Sequence, residues 1–298
     1  MRVFITGATG FIGSALVREL VDAGHPVLGL ARSDAGAQSL IAAGAQVQRG
    51  DLENLESLRN GASAADAVVH LGFIHDFSQF QKNCEIDKRV IETLGDALAS
   101  SDRPDRPLIV TSGLALLAEG RLATEQDPPV PVSEHYPRAS EHTAAAQEKR
   151  GGRAMVVRLP QVHDTTKAGL VTYAIQIARE KGASAYIGDG QNRWAAVHVL
   201  DAAHLYRLAL EKGHAGARYH AVAEEGVPAR DIAEAIGRGL KVPVVSVAPE
   251  QAAGHFGWLA RFATLDLQGS SAQTRKELGW NPTGPTLLTD LANMNYSG

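Results

Sequence analysis

The sequence has few of the features that commit a chain to a membrane, a disulfide framework or a nucleic acid. Its single cysteine, Cys84, cannot form an internal disulfide and fits the reducing cytoplasm. No apolar run approaches the roughly 18 residues of a membrane-spanning helix, and the first apolar run is broken at Gly7, unlike a signal peptide. A net charge of −4 gives no bulk attraction to nucleic acid or an anionic membrane. We therefore expect a cytoplasmic protein with a small-molecule substrate, without a metal, nucleic-acid or membrane partner.

The start of the chain contains a glycine motif. Residues 2–5 are a short apolar run, Gly7, Gly10 and Gly13 follow with the spacing G-x-x-G-x-x-G, and residues 14–22 have a helical pattern. Glycines let the backbone turn tightly and approach phosphates, and a helix N-terminus offers free N–H groups and partial positive charge. Between a strand and a helix, the motif predicts a pyrophosphate site. The expected cofactor-binding residues of this turn are Gly7, Thr9, Gly10, Phe11, Ile12 and Gly13.

Strands and helices alternate along the first half of the chain. Apolar runs at 27–31, 46–49, 67–71, 107–111 and 154–159 are separated by helical stretches, which predicts a parallel sheet covered on both faces. With the glycine turn on the first strand, the fold class is α/β, a doubly wound parallel sheet of the Rossmann type. We expect a dinucleotide-binding domain over 1–164 and a smaller, interleaved C-terminal substrate lobe over 165–298. About 194–222 is expected to rejoin the sheet, and 250–263 to form one helix.

The end of the second strand indicates which dinucleotide binds. Arg32 lies 19 residues beyond Gly13 and is followed by Ser33. In this fold an acid at that position bonds the ribose 2′-hydroxyl of NAD, whereas a basic residue accommodates the 2′-phosphate of NADP. The planar guanidinium of Arg32 suits a phosphate, so we expect NADP. Asp34, two residues further on, leaves NAD open.

Two further segments face the expected cofactor. Asp51 and Leu52 follow the third strand, where they can contact the adenine, although Asp51 is equally suited to starting the next helix. Leu71, Gly72 and Phe73 end the fourth strand, at the edge that faces the ribose and nicotinamide. A glycine there lets the chain pass close to the cofactor, or serves a simple turn.

Five segments in order along the chain form a recognisable set. They are Thr6–Gly13, Val69-His70-Leu71-Gly72, Val110-Thr111-Ser112-Gly113, Arg158-Leu159-Pro160 with Val162-His163, and Ala196-Val197-His198-Val199 with Asp201. Together they resemble the extended short-chain dehydrogenase/reductase family, over nearly the whole chain. The resemblance implies that Thr111 and Pro160 contact the cofactor and that Ser112 is the catalytic serine.

The family's Tyr-x-x-x-Lys pair is missing. In one register Tyr136 takes the place of the tyrosine and Ser140 that of the lysine; in the other the two places fall on Pro137 and Glu141. The lysine is absent in both registers. The chain therefore resembles the atypical members of the family, which keep the glycine motif and lose this pair.

Candidate catalytic residues follow from this loss. Ser112 is expected to orient a substrate carbonyl. Tyr136 is the first candidate for the proton donor, and His75, just after the fourth strand, is the second because histidine exchanges protons at neutral pH. Alternatively, Tyr136 covers the pocket and His75 packs on neighbouring aromatic rings. Arg138 either lowers the pKa of Tyr136, binds an anionic substrate or is a solvated surface charge.

Candidate substrate-binding residues are His163, Arg193 and Trp194. His163 follows Pro160 on the far side of the pocket, and Arg193 and Trp194 follow a glycine-rich turn that borders the substrate in extended members of the family. Trp194 is equally suited to the core beneath that turn.

Together these features predict an NADP-dependent oxidoreductase of the carbonyl reductase type, acting on a small, largely uncharged carbonyl compound. A sugar epimerase or dehydratase, and a non-catalytic NADP-binding sensor, remain alternatives because one fold hosts many functions. We expect a monomer or a homodimer.

Overall fold

The computed structural model describes residues 1–100, 105–114, 117–118 and 120–296. Its strands are β1 (Val3–Thr6), β2 (Val27–Ala31), β3 (Gln46–Arg49), β4 (Ala67–His70), β5 (Pro107–Gly113), β6 (Arg153–Leu159), β7 (Gln161–His163), β8 (Ser184–Ile187), β9 (Arg193–His198), β10 (Arg218–His220), β11 (Glu224–Pro228) and β12 (Val244–Val247). Seven of them form a sheet in the order β10-β6-β5-β4-β1-β2-β3. Every pairing in this sheet is parallel, which confirms the predicted fold class.

Helices cover both faces of this sheet. The helices are α1 (Phe11–Asp22), α2 (Asp34–Ala42), α3 (Leu55–Ser63), α4 (Phe80–Ala99), α5 (Ser140–Lys149), α6 (Val171–Lys181), α7 (Val199–Lys212), α8 (Ala229–Leu240), α9 (Ala252–Phe256), α10 (Ala260–Ala263), α11 (Ala272–Leu278) and α12 (Leu287–Asn293). α1 packs against α7 on one face, and α3, α4 and α5 pack together on the other. Among the described residues, no helix combines the length and apolar character that crossing a bilayer requires.

The side chains of β1 explain why both faces are covered. Val3 and Ile5 belong to the cluster that contains α1 and α7, whereas Phe4 belongs to the cluster of α3 and α4. All three are fully buried. Since successive side chains of a strand point to opposite faces, both faces of β1 are covered. Such a strand is stable only between two helical layers.

The sheet order places a crevice at the end of β1. β1 lies between β2 and β4, so the order of strands reverses at this point. Thr6, the last residue of β1, pairs with His70, the last residue of β4. In open α/β sheets, ligands bind outside the carboxyl ends of the strands at such a reversal.

The remaining strands form two small sheets. β7, β9 and β11 make one of three strands, and β8 pairs with β12. Of the stretch 194–222, β10 joins the large sheet, whereas β9 pairs with β7 and β11. The boundary between a first domain and a second lobe at 164 and 165 stays a prediction.

The prediction of one helix over 250–263 is wrong. The segment is broken into α9 and α10 with a short 3-10 turn over Gly257–Leu259 between them. Gly257 has a φ of +55°, which a regular right-handed helix does not permit.

Candidate cofactor and active site

The turn between β1 and α1 consists of backbones in close contact. Gly7 has a φ of +68°, and a Cβ at this residue would lie 2.7 Å from the backbone nitrogen of Gly72. A Cβ on Gly13 would overlap the carbonyl oxygen of Gly7. Larger residues are therefore excluded at both positions, and the first turn of α1 lies directly against the loop.

The N-terminus of helix α1, with its free N–H groups, lies at this loop. Its N-cap residue is Gly10, which provides no side chain to accept from the helix, and the first turn contains no acidic residue. Thr9 and Gly10 are exposed, and Phe11 and Ile12 are half-buried. The N–H groups and the positive end of the helix dipole are thus available for an anion. The turn fits the pyrophosphate of a dinucleotide.

The ends of the neighbouring strands β2 and β3 each have an arginine, Arg32 and Arg49. Arg32 is exposed. The Ser33 hydroxyl accepts from the backbone N–H of Gly36 and caps α2. Asp34 pairs with Arg49 at 2.6 Å, and a second N–H of Arg49 donates to the Ser33 carbonyl oxygen at 2.7 Å. Arg49, which the sequence analysis did not single out, therefore pairs with Asp34, the residue that kept NAD as an alternative cofactor.

Leu52 and Gly72 meet at the crevice. A Cβ on Gly72 would lie 2.9 Å from a methyl carbon of Leu52, so that side chain lies directly over the glycine. Asp51 accepts from the backbone N–H groups of Glu53 and Asn54, both at 2.9 Å. It therefore shapes the turn, while Asn54 caps α3.

A buried chain of hydrogen bonds leads from the crevice to α5. Thr6 Oγ1 accepts from the Gly72 N–H at 3.1 Å and lies 2.7 Å from His70 Nδ1. His70 Nε2 lies 3.1 Å from Asp87 Oδ1, and Ser140 Oγ donates to Asp87 Oδ2 at 2.6 Å. With a proton on Nε2, the His70 ring donates to Asp87, and its Nδ1 accepts from the Thr6 hydroxyl.

Asp87 remains a carboxylate at the centre of this chain. Burial raises its pKa, but His70, Arg138 and Ser140 together lower the pKa by more, so that the net shift is downward. Asp87 could not be singled out from the sequence, because its place in an otherwise ordinary amphipathic helix does not reveal the partners that approach from β4 and α5.

Arg138 lies at the other end of this chain of hydrogen bonds, next to Ser140, and is half-buried. Its Nε donates to Ser140 Oγ at 3.0 Å and its Nη2 to the Thr111 carbonyl oxygen at 3.1 Å. The guanidinium also lies over the ring of Phe73, 4.9 Å from its centroid. The interpretation of Arg138 as a solvated surface charge is therefore wrong.

The candidate proton donors gather around this guanidinium. His75 packs edge-on against Phe73, with ring centroids 5.5 Å apart, and burial and Arg138 lower its pKa. Burial raises the pKa of Tyr136, and Arg138 opposes that shift. Ser112 is buried at the end of β5, next to Thr111. Thr111 also bonds Tyr206 through its hydroxyl, at 2.7 Å.

Neither residue in the place of the lysine supplies a cation. Ser140 is bonded to Asp87. Glu141 is buried against Arg158, whose Nε and Nη2 donate to the carboxylate at 2.7–3.1 Å. Arg158 is fully buried and also donates to the Asp127 carbonyl oxygen. Glu141 and Arg158 thus form an internal ion pair.

The three candidate substrate residues lie elsewhere. His163 is fully buried, with its Nδ1 2.7 Å from Asp290 Oδ2, and burial lowers its pKa despite that contact. Arg193 is exposed. Trp194 is buried in the hydrophobic cluster formed with α6, α8 and α12, whereas its neighbour Ala195 packs with Leu114 after β5. Trp194 therefore faces away from β5, which favours the core alternative. Pro160, between β6 and β7, is half-buried.

Fold and crevice define a dinucleotide-binding protein of the Rossmann class. A model of the NAD dependent epimerase/dehydratase family matches residues 3–223. The chain belongs to this family, which uses nicotinamide dinucleotides, and the predicted resemblance to extended short-chain dehydrogenases is confirmed.

Individual proteins and structures are also similar to this chain. An uncharacterised protein of Schizosaccharomyces pombe is 47% identical over 302 residues, which cover 99% of this chain and 100% of that protein. The 4-hydroxy-2-methyl-3-oxo-4-farnesyl-3,4-dihydroquinoline-1-oxide ketoreductase of Stigmatella aurantiaca is 29% identical over 74% of this chain and 67% of its own length. The structure of Thermus thermophilus UDP-glucose 4-epimerase in complex with NAD has a TM-score of 0.77 at 21% identity, over 99% of this chain and 97% of that one; this likeness shows the fold.

The ion pair predicts a large loss of stability on Glu141→Ala. The change leaves Arg158 buried without a counter-charge, so the free energy of unfolding should fall by about 3–5 kcal/mol, measured by urea denaturation. Glu92→Ala removes an acid from an exposed pair on α4 and should change stability by less than about 1 kcal/mol. Equal losses in the two variants would show that Glu141 has no special structural role.

Proposed function

We propose that the protein is an NADP-dependent carbonyl reductase that acts on a small, largely uncharged aldehyde or ketone. The observation that carries this proposal is the state of Tyr136. Burial raises its pKa above the usual 10, so the phenol keeps its proton at neutral pH. Reduction of a carbonyl needs a proton donor, whereas oxidation of an alcohol needs a base. A protonated Tyr136 suits the first of these roles and not the second.

The end of β2 supports NADP as the cofactor. Arg32 is exposed and offers its guanidinium to a 2′-phosphate. The carboxylate of Asp34, which would bond the 2′-hydroxyl of NAD or repel the phosphate, is paired with Arg49. Both features favour the more anionic nucleotide.

Different residues of the crevice have different roles in this proposal. The turn over 7–13 holds the pyrophosphate, and Leu52, Gly72, Phe73, Thr111 and Pro160 line the path to the nicotinamide end. The reduced cofactor supplies a hydride to the carbonyl carbon when bound. Ser112 orients the carbonyl oxygen, and Tyr136 passes its proton to that oxygen.

Tyr136 is a better donor than His75. Burial and Arg138 lower the pKa of His75 below 6.5, so most of its rings are neutral at pH 7. We therefore assign the proton to Tyr136 and leave His75 as a neighbour of Phe73. The ketoreductase of Stigmatella aurantiaca, a relative over much of the chain, supports the direction of the reaction.

This assignment predicts how activity depends on the donor and on pH. Following NADPH consumption with a panel of aldehydes and ketones, Tyr136→Phe should lower kcat/KM roughly a hundredfold, and His75→Asn should leave it close to that of the original protein. The kcat/KM should also stay level from neutral pH to about 10, because Tyr136 is protonated throughout.

A different donor gives a different profile. If His75 were the acid, kcat/KM would fall as the pH rises through a pKa below 6.5, since the protonated form disappears. Such a fall, or full activity in Tyr136→Phe, would contradict the assignment. Tight NADPH binding without turnover across a broad panel would favour the sensor.

Arg49 provides a separate test of cofactor choice. In Arg49→Gln the Asp34 carboxylate is released beside the 2′ position, and the ratio of kcat/KM for NADPH over NADH should fall roughly tenfold, the effect of about 1.4 kcal/mol. Adding Asp34→Asn should restore most of the ratio because it removes the released charge.

The matched control is Arg238→Gln, which removes an exposed arginine from α8 and should leave the ratio unchanged. If Arg49→Gln also leaves the ratio unchanged, Arg49 has no part in cofactor choice. A loss that Asp34→Asn does not restore would contradict the role given to Asp34.

A further inference from the structure

The segment between β7 and α6 forms a tight turn that presents a lysine. The carboxylate of Asp164 accepts from the backbone N–H groups of Thr166 and Lys167, at 2.6 and 2.9 Å. The N–H of Asp164 in turn donates to the carbonyl oxygen of Lys167 at 2.8 Å. Asp164 therefore fixes the backbone of this turn, while the side chain of Lys167 is exposed.

The ammonium group of Lys167 lies beside the cofactor turn. Its Nζ is 5.9 Å from the centroid of the Phe11 ring, inside the range of about 6 Å over which a cation is attracted to an aromatic face. Among the residues that the structure describes, none forms a hydrogen bond or an ion pair with this ammonium group. The charge of Lys167 is therefore available to a ligand at the same place.

Phe11 is also the first residue of α1, which brings Lys167 close to free N–H groups. The backbone N–H groups of Phe11 and Ile12 have no acceptor in the described part of the chain, because they begin a helix whose N-cap, Gly10, has no side chain. An anion bound at these N–H groups lies next to the residue whose ring contacts Lys167. The four-carbon stem of a lysine is flexible, so Nζ can move from the ring to that anion.

The charge of a pyrophosphate calls for more than the helix provides. The N-terminus of a helix is equivalent to about half an elementary positive charge, whereas both phosphates of a pyrophosphate are ionised at neutral pH. The first turn of α1, residues 11–14, contains no lysine or arginine. A cation that approaches from another part of the chain therefore complements the helix end.

We propose that Lys167 is a cofactor-binding residue: its ammonium group binds the pyrophosphate of the nicotinamide dinucleotide together with the N-terminus of α1. The inference rests on the proposed function only in requiring a dinucleotide in the crevice, and it does not depend on the reaction. Its role differs from that of Arg32 and Arg49, whose charges act at the 2′ position. Since NADP and NAD share the pyrophosphate, Lys167 binds both and does not choose between them.

Calorimetric titrations with three nucleotides test this assignment. NADPH has the 2′-phosphate, the pyrophosphate and the nicotinamide; NADH lacks the 2′-phosphate, and ADP-ribose lacks both the 2′-phosphate and the nicotinamide. In Lys167→Gln the Kd should rise roughly five- to tenfold for each of the three, because each loses the same charge-assisted contact. Lys167→Arg, which keeps the charge, should restore most of the affinity.

The matched control is Lys276→Gln, which removes an exposed lysine from α11 and should leave all three Kd values unchanged. Salt dependence supplies a second readout. Because added salt screens a contact between charges, the Kd of ADP-ribose should rise less steeply with NaCl concentration in Lys167→Gln than in the original protein. Thermal melting without nucleotide shows whether each variant is folded.

The inference fails if folded Lys167→Gln binds ADP-ribose as tightly as the original protein does. A loss of affinity for NADPH alone would place Lys167 at the 2′-phosphate, and a loss for NADPH and NADH but not for ADP-ribose would place it at the nicotinamide end; either result overturns the proposal. The titrations do not depend on turnover. A protein that reduces no carbonyl yet loses all three affinities in Lys167→Gln would contradict the proposed function alone.

Discussion

The whole site depends on a contact between three glycine backbones. Gly7 lies against Gly72 and Gly13 so closely that a Cβ on Gly7 or Gly13 would collide with main-chain atoms. This contact joins the ends of β1 and β4, the two strands at which the sheet order reverses, and it brings the N-terminus of α1 to the same point. An uncapped helix N-terminus, a crevice and a tight turn therefore come from a single packing constraint, and no charged side chain is needed to make it.

Hydrogen bonds connect this glycine contact to Arg138. Thr6 precedes Gly7 and receives the N–H of Gly72, and through His70, Asp87 and Ser140 the hydrogen bonds reach Arg138. Every member between the two ends is buried, so each depends on its neighbours for satisfied hydrogen bonds. The glycine turn after β1 and the Arg138 guanidinium are thus joined by one continuous set of buried hydrogen bonds.

Much of this could be predicted from the sequence, and the limits have physical reasons. The glycine turn, the alternation of strands and helices and the family are local or periodic signals, and the structure agrees with them. Arg49, Asp87 and Arg138 acquire their importance from partners brought together by sheet order, which no local pattern encodes. For Trp194 the sequence left both a substrate contact and a core position open, and the pleat of β9 turns the side chain into the core formed by α6, α8 and α12. The prediction of one helix over 250–263 was wrong because Gly257 adopts a positive φ.

The most direct test of this account is a calorimetric titration of NADPH into the protein and into Gly13→Ala. The added methyl group would collide with the Gly7 carbonyl and displace the loop from α1. We expect saturable binding of NADPH to the original protein and loss of measurable binding in the variant, with circular dichroism showing that both are folded. Equal binding to the two folded proteins, or no binding of either nicotinamide dinucleotide to the original, would contradict the claim that this turn holds the cofactor.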